Sequence, residues 1–153
     1  MQYKLHDKWK LWFHNSKNNW KKDGYTKLLE FNYLEEIAYL INNFDKLGGL
    51  NNNHFIIMRN NILPIWEDKL NKKGGCMSIK IEINNSNKLF YNLLKNIVCE
   101  TLDDSLLING ISICIKNPNY CIIQVWLMSE NKKLIQNIGN LIKINYLYKN
   151  YNL

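Results

Sequence analysis

The segment Met77–Ile83, MSIKIEI, followed by NKLFYNLLKNIVCE from Asn87 to Glu100, changes its apolar period within a few residues. In the first part Ile79, Ile81 and Ile83 alternate with Ser78, Lys80 and Glu82, the pattern of a strand with one buried face. In the second, Phe90, Leu93, Leu94, Ile97 and Val98 recur every three or four residues, as on one stripe of a helix. Two further segments share that helical rhythm. One runs from about Tyr33 to Phe44 and carries Leu34, Ile37, Ile41 and Phe44. Asn32 is its expected cap, with Glu35 and Glu36 where the helix dipole favours anions. The other follows Ser129 and carries Leu134, Ile135, Ile138, Leu141 and Ile142. Strand-like runs span Lys8–His14, His54–Met58, Ser112–Lys116 and Ile122–Met128. Gly74-Gly75 and Asn117-Pro118-Asn119 are turn signals between neighbouring strands, and Asn51–Asn53 and Asn84–Asn87 read as loops. This order predicts an α+β fold, an antiparallel sheet with three helices on one face and the other face free for a ligand.

The 153 residues suit a single domain, 1–153, with one sizeable core. The longest apolar runs fall far short of a membrane span and the N-terminus carries no signal-peptide core, so a cytoplasmic monomer is expected. A net charge of +7 permits an anionic partner, although Lys, Asn, Ile and Tyr enrichment also follows from AT-rich coding sequence. Arg59 is the only arginine, which leaves little forked phosphate recognition. Cys76, Cys99, Cys114 and Cys121 form no CxxC pair and His6, His14 and His54 are dispersed, so neither a disulfide framework nor a zinc site is indicated. No cofactor, metal or catalytic function is expected: the chain offers no phosphate-binding glycine loop and no positioned acid–base pair.

Five tryptophans are present. Trp9 and Trp12 lie in the apolar run WKLWFH and read as core. Trp20 lies in the polar stretch NSKNNWKKDGY, where it has no periodic neighbours to pack with. Trp66 precedes Glu67 and Asp68 in ILPIWEDKLNKKGG, a loop opened by Pro64 and closed by two glycines. Two tryptophans in polar loops, one beside a carboxylate, suit an aromatic clamp as well as ordinary partial burial.

DKWKLWFH (Asp7–His14), NNW (Asn18–Trp20), IMRNNILPIWEDKLNKKGG (Ile57–Gly75), ETLDD with INGISI (Glu100–Ile113) and VWLMSE (Val125–Glu130) resemble, in order and spacing, the eukaryotic translation initiation factor 4E family. That resemblance implies a curved antiparallel sheet backed by three helices and a site for the 7-methylguanosine cap of mRNA. Trp20 and Trp66 would sandwich the base, Glu67 would accept from its Watson–Crick edge, and Trp126 would lie against the N7-methyl group. Methylation makes the purine cationic, so two indoles add cation–π attraction of about 2 kcal/mol to stacking worth about 1–3 kcal/mol. A carboxylate accepts from both N1–H and N2–H₂ of guanine, whereas adenine lacks the second donor.

The chain also departs from the family pattern. Lys116 stands where a basic residue typically meets the phosphates, but Ile122 replaces a second lysine, and Cys76 and Met77 stand where many members carry Arg and Trp. Lys72, Lys73 or lysines near the KNPNYC turn are the candidate compensation. On the first helix Ala38 replaces the Trp that docks a scaffold factor or repressor, while Tyr91 and Lys95 replace apolar neighbours. The expected partners are therefore capped mRNA and a scaffold-type or divergent protein on the face near Leu34, Ala38 and Tyr91. Loss of an aromatic anchor typically costs an interface at least about 2 kcal/mol. A cap-binding repressor or decoy is the alternative role.

Overall fold

The computed structural model describes residues 1–14, 18–43 and 54–151. Its elements run β1 (Lys4–His14), β2 (Tyr25–Tyr33), α1 (Leu34–Asn42), β3 (His54–Arg59), β4 (Gly75–Glu82), α2 (Ile83–Val98), β5 (Ile108–Ile115), β6 (Tyr120–Leu127), α3 (Lys132–Ile142) and β7 (Leu147–Asn150). The strands form one curved antiparallel sheet in the order β2-β1-β3-β5-β6-β4-β7. The α+β class is as expected.

Register explains how one sheet has two unlike faces. Leu11, Ile57, Ile111, Val125 and Met77 align across five strands, and all are fully buried on the helix side. One residue along, Trp12, Ile56, Ser112, Gln124 and Ser78 align on the opposite side, where polar groups interrupt the apolar ones. The period of two along each strand produces this separation. Helix α2 covers the apolar side with Phe90, Leu93, Leu94, Ile97 and Val98, each essentially inaccessible to water. Burial of such a side chain stabilises by about 1.5–3 kcal/mol.

Several boundaries differ from the sequence reading. Helix α2 begins at Ile83 rather than Asn87, so Asn84–Asn87 form its first turn instead of a loop; the Ser86 hydroxyl donates to the Ile83 carbonyl at 2.7 Å. Helix α1 is capped by Glu36, whose carboxylate accepts from the backbone N–H of Asn32 at 2.7 Å and of Tyr33 at 3.0 Å, and not by Asn32. Phe44 and Asn51–Asn53 lie outside the described residues. Strand β2 had no alternating signal because most of its side chains are exposed on a sheet edge. The turn at Asn117–Asn119 joins β5 to β6 as expected, with the Asn117 side chain accepting from the backbone of Asn119 and Tyr120. Gly74-Gly75 does not join neighbours: β4 lies beyond β5 and β6 from β3. Gly74 is needed for close approach, since a Cβ there would collide with the Leu127 carbonyl.

Trp9 is core, fully buried on the helix side. Trp12 is a correction. It lies only partly buried on the opposite face, against the cluster of Ile56, Met58, Ile62 and Trp126. Two residues apart would share a face; three residues in a strand place Trp9 and Trp12 on different ones.

Candidate functional site

Trp20 precedes the short 3-10 turn Lys22–Gly24 and is 55% exposed. Trp66, 53% exposed, stands in the long connection between β3 and β4. That connection has its own polar scaffold. The Asp68 carboxylate accepts from the backbone N–H of Leu63 at 3.0 Å and of Leu70 at 2.9 Å. Asn71, fully buried, donates to the carbonyls of Leu63 at 3.0 Å and Ile65 at 2.8 Å, and Asn109 of β5 donates to the Asn71 side chain at 2.9 Å. Asp68 is thus loop scaffolding, leaving its neighbour Glu67 exposed.

Trp20, Trp66 and Trp126 line one groove of about 300 Å³ on the open face of the sheet. Trp126 is 7% exposed and its indole N–H donates to the Ser112 hydroxyl at 3.3 Å. Gly110, opposite Trp126 on β5, lets β3 approach closely, since a Cβ there would collide with Met58 and the Ile57 carbonyl. Tyr151 closes one end. Its ring meets Trp126 edge-on at 5.9 Å and its backbone N–H donates to the Gly74 carbonyl at 2.8 Å. Burial, then the neighbouring Cys76 thiol, pushes the Tyr151 phenol pKa up.

Tyr25 and His54 also line the groove. Burial, reinforced by the negative charge of Glu67, pushes Tyr25 up to about 12, so it remains a neutral phenol. Glu67 does not line the groove, yet its charge reaches Tyr25. Burial, with the positive charges of His14 and Lys116, pushes His54 down to about 4.

The residues expected to meet phosphates are less concentrated. Lys116 is exposed at the β5–β6 turn and lies outside the groove lining, although its charge reaches His54. Cys76 is buried in the groove wall and Ile122 half-buried on β6. Lys149 of β7 does line the groove, paired in register with Cys76. Lys80 lies with its Nζ 4.1 Å from the centre of the Tyr120 ring. Sequence reasoning missed Tyr25, His54, Lys149 and Tyr151. Strand parity from Trp126 leads to Gln124, and from Cys76 to Ser78, but the pairing of β7 with β4 leaves no local signal.

Arg59 is buried and structural. Its Nη1 lies 2.6 Å from both Asp7 and Glu100, and its other nitrogens donate to the carbonyls of Ile108 and Ser105, each at 2.9 Å. Burial pushes the Asp7 carboxyl up, but hydrogen bonds from Arg59, Asn60 and His6 outweigh it and leave the pKa lowered. His6, Asp7 and Glu100 are the one described trio spaced to ligate a metal; the Arg59 guanidinium already pairs with both of its carboxylates.

The family model described as eukaryotic initiation factor 4E matches residues 4–152. The chain belongs to that family. Within it, the Saccharomyces cerevisiae eukaryotic translation initiation factor 4E is 28% identical over 151 residues, covering 94% of this chain and 70% of the yeast protein. The solved complex of C. elegans eIF4E-3 with the 4E-binding protein Mextli and cap analog superposes with a TM-score of 0.84 at 21% identity, covering 97% of this chain and 92% of that one. Ascaris suum eIF4E-3 with m7G cap gives 0.81 at 20% identity, covering 99% and 92%. At such identities the structural likeness shows the factor 4E fold alone.

Proposed function

We propose that the groove binds the 7-methylguanosine 5′ cap of mRNA and that the protein acts by binding, not catalysis, in cytoplasmic translation initiation. The convergence of Trp20, Trp66 and Trp126 on one groove carries this reading. Three indoles from separate parts of the chain suit a flat cationic base, and Glu67 beside Trp66 suits its Watson–Crick edge. Trp20 and Trp66 take the two faces of the base, and Trp126 the N7-methyl side. Family membership and the cap complexes of similar structures support it. Lys149 in the groove wall and Lys116 at the β5–β6 turn are the cations offered to the phosphates where Ile122 and Cys76 carry no charge.

Retention on a 7-methylguanosine triphosphate resin tests the reading. Methylated nucleotide should compete and unmethylated nucleotide should not. Glu67→Ala and Trp66→Ala, both at exposed positions, should each weaken retention by roughly tenfold or more. Wild-type retention by either variant rejects the slot.

A second role, cap-binding repressor or decoy, is favoured by the helix face. Ala38 is small and half-buried, and Leu34 and Tyr91 around it are partly buried rather than prominent. Tyr91 and Lys95 line a neighbouring groove of about 440 Å³ that extends to Leu141. A scaffold-type factor or a divergent partner docks on this face in the first role; in the second it does not. Recovery of scaffold and helicase factors in a pull-down supports initiation, and their absence supports the decoy.

A further inference from the structure

The slot's first tryptophan is held by a histidine. His14, at the end of β1, is 3% exposed, and its imidazole stacks on the Trp20 indole with centroids 4.2 Å apart and planes 24° apart. Its Nε2 lies 2.7 Å from the carbonyl oxygen of Asn19, the residue just before Trp20. A carbonyl oxygen only accepts, so Nε2 carries the proton and donates. Tyr25 of β2 flanks the ring at 4.5 Å and His54 of β3 meets it edge-on at 6.0 Å, which locks the imidazole plane. Asn19 is fastened on its other side too, its side chain donating to Asp23 at 3.2 Å and accepting from the Lys21 backbone at 3.1 Å.

Trp20 itself is 55% exposed, yet one of its faces is covered. An exposed indole normally samples several rotamers, and each ordered rotamer-rich side chain costs a binding event about 0.5–1.5 kcal/mol. Here that ordering precedes the ligand. We propose that His14 is a positioning residue for base recognition: it forms the rear plate of a four-ring stack, His14, Trp20, base, Trp66, and presets the free face of Trp20 toward the groove. The role deepens the cap-binding reading and rests on it.

The test compares wild type with His14→Leu, which keeps buried volume without a flat ring, and His14→Phe, which keeps the ring without the bond to Asn19. Dissociation constants for 7-methylguanosine triphosphate are measured by titration, with thermal denaturation alongside. His14→Leu should bind roughly tenfold more weakly at an unchanged melting temperature, and His14→Phe should recover to within about threefold of wild type. Rescue by Phe is the outcome a general packing role does not give. Wild-type binding with His14→Leu within twofold of it overturns the rear plate and leaves the slot standing, and so does equal loss in both variants. A wild type that fails to bind the nucleotide overturns the slot and the plate together.

Discussion

Trp20 and Trp66 each leave more than half of a large apolar side chain in water. Single exposed hydrophobes are common, but two facing the same groove form a patch that association with a flat ligand would cover. Their neighbours divide the remaining labour. Asp68 and the Asn71 amide are spent on the loop backbone, while the Glu67 side chain next to them stays exposed. Lys149 is the cation best placed for a phosphate, since it alone among the described lysines lines the groove. Lys149→Ala should weaken the methylated triphosphate severalfold and the bare methylated nucleoside hardly at all. The plot of log affinity against log salt should flatten by about 0.7–0.9, the slope that neutralising one phosphate contributes. Equal loss for nucleoside and triphosphate would place Lys149 elsewhere.

The connection between β3 and β4 behaves as an element although it is neither helix nor strand. Its rigidity comes from Asn71, whose amide satisfies two carbonyls at once, and from Asn109, which reaches in from β5. Asn71→Ala takes the side-chain donor from the Leu63 carbonyl and leaves Ile65 only its 3.3 Å bond from the Asp68 N–H, and should cost on the order of 1–3 kcal/mol of stability by urea denaturation. It should also weaken cap retention although residue 71 does not line the groove. Unchanged stability would mean that water replaces the amide. Much of this element was readable in advance: Pro64, the adjacent acids and the paired glycines mark a loop, and polar surroundings set Trp66 apart from the core. The helices were readable by period, because each buries one apolar stripe. Strand β2 was not, since an exposed edge imposes no alternation, and Trp12 was misplaced because an unbroken apolar run conceals which face each residue takes. Asn109 and Tyr151 meet the loop and the slot through pairings distant in sequence, which local patterns do not encode.

At the scale of the molecule, two partly or wholly buried titratable groups both lose their contribution to stability as pH falls, over different windows. Asp7 has a lowered pKa, so its contribution is present above the ordinary carboxylate range and lost in stronger acid. His54 is pushed from about 6.5 to about 4, so between those values the unfolded chain binds a proton that the folded chain refuses. Its contribution is therefore complete above about 6.5 and declines as pH falls toward 4, by a total on the order of 3 kcal/mol. Urea midpoints at pH 7 and pH 5 should show the decline, and His54→Gln should shrink it. A decline of equal size in the variant would assign it to other groups.

Tyr151 sits against Trp126 and hangs from Gly74, while β7 supplies Lys149. The groove thus draws on residues from Trp20 to Tyr151, and β4 waits for β6 and β7 to arrive from far along the chain. A polypeptide emerging from a ribosome could form the hairpin of β1 and β2 early, but its slot would stay unbuilt until β7 had cleared the exit tunnel. If the slot holds caps, the unfinished chain has no grip on the 5′ end of the message that encodes it.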